Sequence, residues 1–172
     1  MISIFQATSR TQLDDVRTLL RGFVAWHRAR HAEDAALIDR YFDTAAFEAE
    51  LAGLPAKYAP PHGRLLIAYR GGQAAGCVAL RDLGRDLGDG VCEMKRMFVP
   101  EAQRGHGIGR ALAEQVICEA RLAGYRRMRL DTSWRQDAAI GLYESLGFGR
   151  VAPYYDVPPE LAAWLVFFER DL

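Results

Sequence analysis

The spacing of apolar positions along the chain changes several times, and each change marks a predicted element. Ile2, Ile4 and Ala7 alternate with polar neighbours, as in a short strand. Thr11 then reads as a helix N-cap with Asp14 and Asp15 in the first turn, and Leu13, Val16, Leu20, Phe23 and Val24 keep helical spacing. A second helix is predicted over residues 36–51, ended by Gly53 and Pro55, with a proline-rich loop running to Gly63. Two strands, 65–69 and 74–80, flank the hairpin signal Gly71-Gly72. Residues 84–90 read as a loop, and a strand is predicted over 91–99.

After Pro100 and a glycine-rich basic turn comes an amphipathic helix over 108–123, with Leu112, Val116 and Ile117 inward and Gly124 just past its end. Residues 126–132 alternate basic with apolar and predict a strand, 136–146 a short helix ended by Gly147, and 163–172 a final strand. This order predicts a mixed α/β (α+β) sheet covered by helices on both faces, in a single domain over 1–172.

Composition removes some classes of function. Lys plus Arg and Asp plus Glu both number 22, which argues against a nucleic-acid binder that relies on neutralising phosphates. The three cysteines, Cys77, Cys92 and Cys118, form no CxxC pair, so they read as packing residues in a reducing cytoplasm. His27 and His31 stand at i,i+4, but without a third ligand they predict a solvated helix face and no metal. The first residues do not read as a signal peptide, and no run approaches ~18 apolar residues, so a cytoplasmic protein without a membrane partner is expected.

The turn at Arg104, Gly105, His106, Gly107, Ile108 and Gly109 opens a helix, where the first N–H groups lack intrahelical partners and the dipole favours anions. Such a turn suits phosphate groups. The P-loop pattern is absent, because no glycine is followed by Lys and then Ser or Thr. The dinucleotide pattern GxGxxG also fails, meeting Arg110 from Gly105 and Leu112 from Gly107.

The spacing that does occur, Arg104-x-x-Gly107-x-Gly109, resembles the acyl-CoA-binding motif of the GNAT superfamily of N-acetyltransferases. A second stretch, QDAAIGLYESLGF over 136–148, is similar to that family's later motif at Ala139, Leu142, Tyr143, Glu144, Gly147 and Phe148. Gln136 stands where the family often has Asn. The resemblance covers residues 64–150, and the first 60 only by element order.

The resemblance implies a GNAT-like acyl-CoA N-acyltransferase fold with a central sheet of six to seven strands. It also implies transfer of acetyl from acetyl-CoA to the amine of a small molecule or peptide, by direct attack through a tetrahedral intermediate. Backbone N–H groups from Arg104 to Gly109 would hold the pyrophosphate, with Arg104 and Arg110 adding charge. Met97, Phe98 and Val99 would pair with the pantetheine arm and polarise the thioester through their main chain, with Gln136 and Ala139 also bordering the cofactor. Tyr143 would protonate the departing thiolate.

Glu93 is the candidate general base, with Asp131, Glu144 or water as alternatives, and an ion pair with Lys95 as its purely structural reading. Strand alternation puts Glu93 on one face with Lys95, Met97 and Val99, and Cys92, Met94, Arg96 and Phe98 on the other. Trp26, His27, Tyr41, Phe42, Tyr154 and Tyr155 would wall the acceptor site, with residues 152–159 lying over it. The competing class is a non-catalytic CoA-binding sensor or scaffold with the same fold. The apolar last strand leaves a homodimer open.

Overall fold

A computed structural model describes residues 1–84 and 90–172, and the statements below concern those residues. Most of the loop expected at 84–90 lies outside them.

Seven strands form one sheet in the order β1-β2-β3-β4-β5-β7-β6. They are β1 (Ile2–Gln6), β2 (Arg64–Arg70), β3 (Gln73–Asp82), β4 (Val91–Phe98), β5 (Arg127–Ser133), β6 (Gly149–Val151) and β7 (Leu165–Asp171). Every neighbouring pair is antiparallel except β4 and β5, which run parallel. The helices are α1 (Arg10–Arg30), α2 (Ala35–Tyr41), α3 (Thr44–Ala52), α4 (Ile108–Leu122), α5 (Asp137–Ser145) and the single turn α6 (Pro159–Ala162).

Strand alternation divides the core in two. Leu65, Ile67, Cys77 and Ala79 point to one face, where Val16, Leu20 and Val24 of α1, Ile38 of α2 and Phe47 and Leu51 of α3 cover them. Leu66, Ala68, Val78 and Leu80 point to the other, against Leu112, Val116 and Ile117 of α4 and Ile140 and Tyr143 of α5. Sheet and helices on both faces agree with the architecture expected from the sequence.

Three local expectations are corrected. Ser9, not Thr11, caps α1, in a capping box in which its side chain accepts from Gln12 N–H while the Gln12 side chain accepts from the Ser9 N–H. The helix expected over 36–51 is two helices: the chain breaks at Phe42 and Asp43, and the Asp43 carboxylate caps α3 by accepting from Ala46 N–H at 2.8 Å. The parity expected for β4 also fails. Three steps on β4, from Lys95 to Phe98, face two on β3, from Ala79 to Cys77, so β4 carries a bulge. Arg96 sits in it with φ 56°. Met97 and Val99 therefore join Cys92 and Met94 on the α4–α5 face, while Phe98 turns to the α1–α3 face.

Close packing accompanies the bulge on β3. A Cβ on Gly76 would lie 2.9 Å from the Phe98 carbonyl oxygen and 3.0 Å from Leu112 Cδ1, so only glycine leaves room there. Beyond it, β4 and β5 part. They pair only at Val91–Arg127, Cys92–Met128 and Glu93–Arg129, and the remainder of β4 leaves its β5-facing edge without a strand partner.

Candidate active site

The site lies where β4 and β5 diverge. From Pro100 the chain makes one 3-10 turn (Glu101–Gln103) and reaches Gly107, the N-cap of the 15-residue α4. Gly107 has φ 78°, in the left-handed region that favours glycine, and no side chain caps the helix. Among the described residues, no acceptor pairs with the N–H groups of Ile108, Gly109 or Arg110. The bonded ladder starts at Ala111 N–H, 3.0 Å from the Gly107 oxygen. Three free donors and the helix dipole make an anion site.

A groove of ≈ 490 Å³ runs over this helix start. Met97 and Phe98 of β4, with Val99 just after the strand, wall it, as do Arg104, Gly105, Gly107, Ile108 and Gly109 of the turn and Gln136, Ala139 and Tyr143 on the α5 side. Arg104 is fixed beside it, stacked 4.3 Å over the Trp26 ring and donating through Nε to the Val99 carbonyl at 3.1 Å. His106 and Arg110 lie outside this lining. His106 is exposed, and Arg110 turns away to Glu114 on α4 and to Ser145 Oγ of α5 at 2.7 Å.

The groove shares Phe23, Met97, Gln136, Ala139 and Tyr143 with a smaller inner cavity of ≈ 70 Å³ inside the fork of β4 and β5. Met94, Lys95, Arg96 and Met97 form one side of the fork, and Asp131, Thr132 and Ser133 the other. Tyr143 therefore stands in the wall between groove and cavity. It is buried, its neutral form is favoured by burial and then by the charge of Asp131, and its hydroxyl meets only Met97 Sδ at 3.8 Å. A thioether is a weak acceptor, so the phenol proton is available to a better one.

Buried charge crosses the fork. Lys95 Nζ lies 3.0 Å from Asp131 Oδ1, 3.0 Å from the Tyr41 hydroxyl and 3.4 Å from Glu93. Burial alone would lower its pKa, but Tyr41, Asp131 and Glu93 outweigh that and hold it well above the usual lysine value. Burial likewise opposes ionisation of Asp131, yet Lys95 and the hydroxyls of Tyr155 and Tyr41 keep its pKa below the usual carboxylate range. Asp131 is therefore an anion facing the cavity.

Glu93 is placed differently. It is fully buried, its carboxylate is paired with Arg81 and Lys95 and accepts from the Tyr154 hydroxyl at 2.9 Å, and it lines neither groove nor cavity. The ion pair with Lys95 foreseen as its structural alternative is present. Of the tyrosines in the 152–159 stretch, Tyr155 donates to Asp131, which lines the cavity, and Tyr154 donates to Glu93, which does not; neither tyrosine lines groove or cavity.

His27 overturns the expectation of a solvated helix face. It is 3% exposed, packs against Phe23, Trp26, Phe42 and Trp164, and lines the inner cavity 3.2 Å from Gln136 Nε2. Burial, then the neighbouring His31 and Arg104, lower its pKa to about 4, so it is neutral at pH 7. Arg96 is held by side chains that the sequence left unremarked. Glu50 of α3 accepts from its Nε and Nη2 at 2.8 and 3.1 Å, and Phe42 and Phe47 each lie 5.3 Å from its guanidinium carbon. An acid in α3 and an arginine in β4 give no local sign that they will meet.

No group of three or more potential ligands able to hold a metal ion occurs among the described residues. No helix there is long and apolar enough to cross a membrane. Burial pushes the pKa of the Cys77 and Cys92 thiols up, which leaves both unreactive.

Sheet, forked strands, groove and uncapped helix start together describe an acyl-CoA N-acyltransferase fold. The chain belongs to the acetyltransferase (GNAT) family, whose model matches residues 22–148. Over 110 residues it is 43% identical to an uncharacterised N-acetyltransferase of Schizosaccharomyces pombe, covering 63% of this chain and 66% of that one. Among solved structures it is similar to an acetyltransferase of Streptococcus agalactiae, with a TM-score of 0.74 at 19% identity over 99% of this chain and 98% of that one. It is also similar to the PaiA N-acetyltransferase of Thermoplasma acidophilum in complex with coenzyme A, with a TM-score of 0.72 at 15% identity over 100% and 99% of the two chains.

Proposed function

We propose that the protein transfers an acetyl group from acetyl-CoA to the amine of a small acceptor. The observation that carries this reading is the Tyr143 hydroxyl in the wall shared by groove and cavity, with only a thioether for a partner. A thioester laid along the groove would present its sulfur and carbonyl at that wall.

The residues of the groove fit the co-substrate. The free N–H groups of Ile108, Gly109 and Arg110 take the pyrophosphate, and the turn, without Cβ atoms at Gly105 and Gly107, lets it approach. The unpaired edge of β4 at Met97 and Phe98 offers main-chain groups to the pantetheine amides, and an N–H there polarises the thioester carbonyl. The amine nitrogen attacks the carbonyl carbon, and the carbon–sulfur bond then breaks. The thiolate takes the phenol proton of Tyr143, which solvent restores.

The amine must also lose a proton. Asp131 is better placed for it than Glu93, because Asp131 lines the cavity and Glu93 lines neither cavity nor groove, while both carboxylates are held by cations and tyrosine hydroxyls. Asp131 orients the incoming ammonium and receives its proton directly or through water. A CoA-binding sensor would not need a buried phenol without a strong acceptor at the junction of two cavities.

Free-thiol release from acetyl-CoA across a panel of amines tests the reading. Tyr143→Phe is expected to lower kcat about 10²-fold with acetyl-CoA affinity nearly unchanged. Equal turnover in the variant would remove Tyr143 from the mechanism.

A further inference from the structure

The inner cavity adjoins a vestibule of ≈ 290 Å³, and Tyr41, Lys95 and Arg96 line both. Its lining holds four cations, Arg40, Arg81, Lys95 and Arg96, and no carboxylate. Their acidic partners sit behind them or to the side. Glu93 and Asp131 are fully buried, Glu50 is 14% exposed, and Glu160, the partner of Arg40, lies outside the lining. Pairing does not exhaust the donors. Among the described residues Arg81 donates only through Nε and Arg40 only through Nη1, so each guanidinium keeps N–H groups for another acceptor.

The two spaces thus differ in charge at the points an acceptor would touch. Only the cavity lining holds a carboxylate, Asp131, beside the shared Lys95 and Arg96, whereas the vestibule adds Arg40 and Arg81 to those two cations, together with Tyr155. The cavity, at ≈ 70 Å³, is much smaller than the adjoining vestibule at ≈ 290 Å³, which offers space for the remainder of an acceptor whose amine enters the cavity.

We propose that the acceptor is a zwitterionic amino acid: its amine enters the cavity against Asp131 while its carboxylate is held in the vestibule by Arg40, Arg81 and Arg96. This rests on the acetyltransferase reading above and narrows its substrate class. A simple alkylamine would leave the vestibule cations facing water, and a polyamine would place its second charge among them, which like-charge repulsion disfavours.

The test compares each carboxylate with its own carboxamide, in pairs that carry a single carboxyl group: 4-aminobutyrate with 4-aminobutanamide, and 5-aminopentanoate with 5-aminopentanamide. A charge-assisted contact to guanidinium is worth enough to make kcat/KM for the carboxylate about tenfold higher or more. In Arg40→Gln, whose exposed position spares the fold, the carboxylate-to-carboxamide ratio should fall about threefold through KM rather than kcat. Equal or better turnover of the carboxamides overturns the proposal and leaves the acetyltransferase reading standing. Calorimetric titration of both members of each pair into the CoA-loaded protein separates the two further. With no turnover of any amine, the acetyltransferase reading falls. Carboxylates that bind no tighter than carboxamides overturn the vestibule assignment whatever the turnover.

Discussion

On the α4–α5 side of the sheet the groove is built around main-chain groups at a glycine-rich helix start, whereas the α1–α3 side is crossed by ions buried between distant elements. The groove's N–H groups at the helix start and along the strand edge are positioned by backbone conformation, with Arg104, Gln136 and Tyr143 beside them. The other side depends on pairs such as Glu50–Arg96 and Tyr41–Asp131, 46 and 90 residues apart in sequence. The two constructions would fail differently. Main-chain donors survive most side-chain changes and are lost when the turn is strained. Buried ion pairs are lost when a single partner is removed, because the survivor keeps its charge in a poor solvent.

The largest expected effect follows from the second construction. Glu50→Ala leaves Arg96 charged in the β4 bulge and should cost about 3 kcal/mol of stability in urea. Lys57→Ala, removing the half-exposed partner of the same carboxylate, should cost less than about 1 kcal/mol. If the two losses are equal, the bulge is held by the aromatic sandwich of Phe42 and Phe47 rather than by charge.

His27 gives the next effect, through pH. Its folded pKa of about 4 lies below the ordinary 6.5, so between these values the unfolded chain binds the extra proton. Stability from this residue is complete above the unfolded value and falls as pH drops toward the folded one. Between pH 7 and pH 5 the loss should be about 2 kcal/mol. His27→Leu should flatten that limb in urea titrations at the two pH values. An unchanged slope would assign the acid sensitivity to another group.

The smallest effect belongs to the main-chain side. A Cβ on Gly107 meets no atom within 4 Å, so Gly107→Val strains the left-handed cap without a clash. About 1.5 kcal/mol of stability should go, and acetyl-CoA should bind about tenfold more weakly by titration calorimetry. Unchanged affinity would mean that the co-substrate does not depend on the turn.

The same contrast separates what could be read from the sequence from what could not. The glycine turn, the helix it opens and the AIGLYESLGF helix are local patterns, and their residues sit where a linear reading put them. The β4 bulge was not legible, because an extra residue in a strand shows only against the partner strand's register. It moved Met97, Val99 and Phe98 to the opposite faces from those alternation predicts. Glu93 is expected as the general base because it stands in a central strand, and while its pairing with Lys95 could be foreseen there, its contacts with Arg81 and Tyr154 could not. His27 sits beside Arg28 and Arg30 near the end of a helix, so its neighbours in sequence describe a wet surface while its neighbours in space are aromatic.

By itself the sequence determined most of the elements, the two-faced sheet and the glycine turn that opens a helix, since period, punctuation and backbone freedom act over a few residues. Tertiary structure alone decided which carboxylate faces the cavity, which histidine is dry and which cations ring the vestibule. Each of those depends on burial and on charges brought together across the fork of β4 and β5, and the energy of a buried charge is set by its neighbours in space.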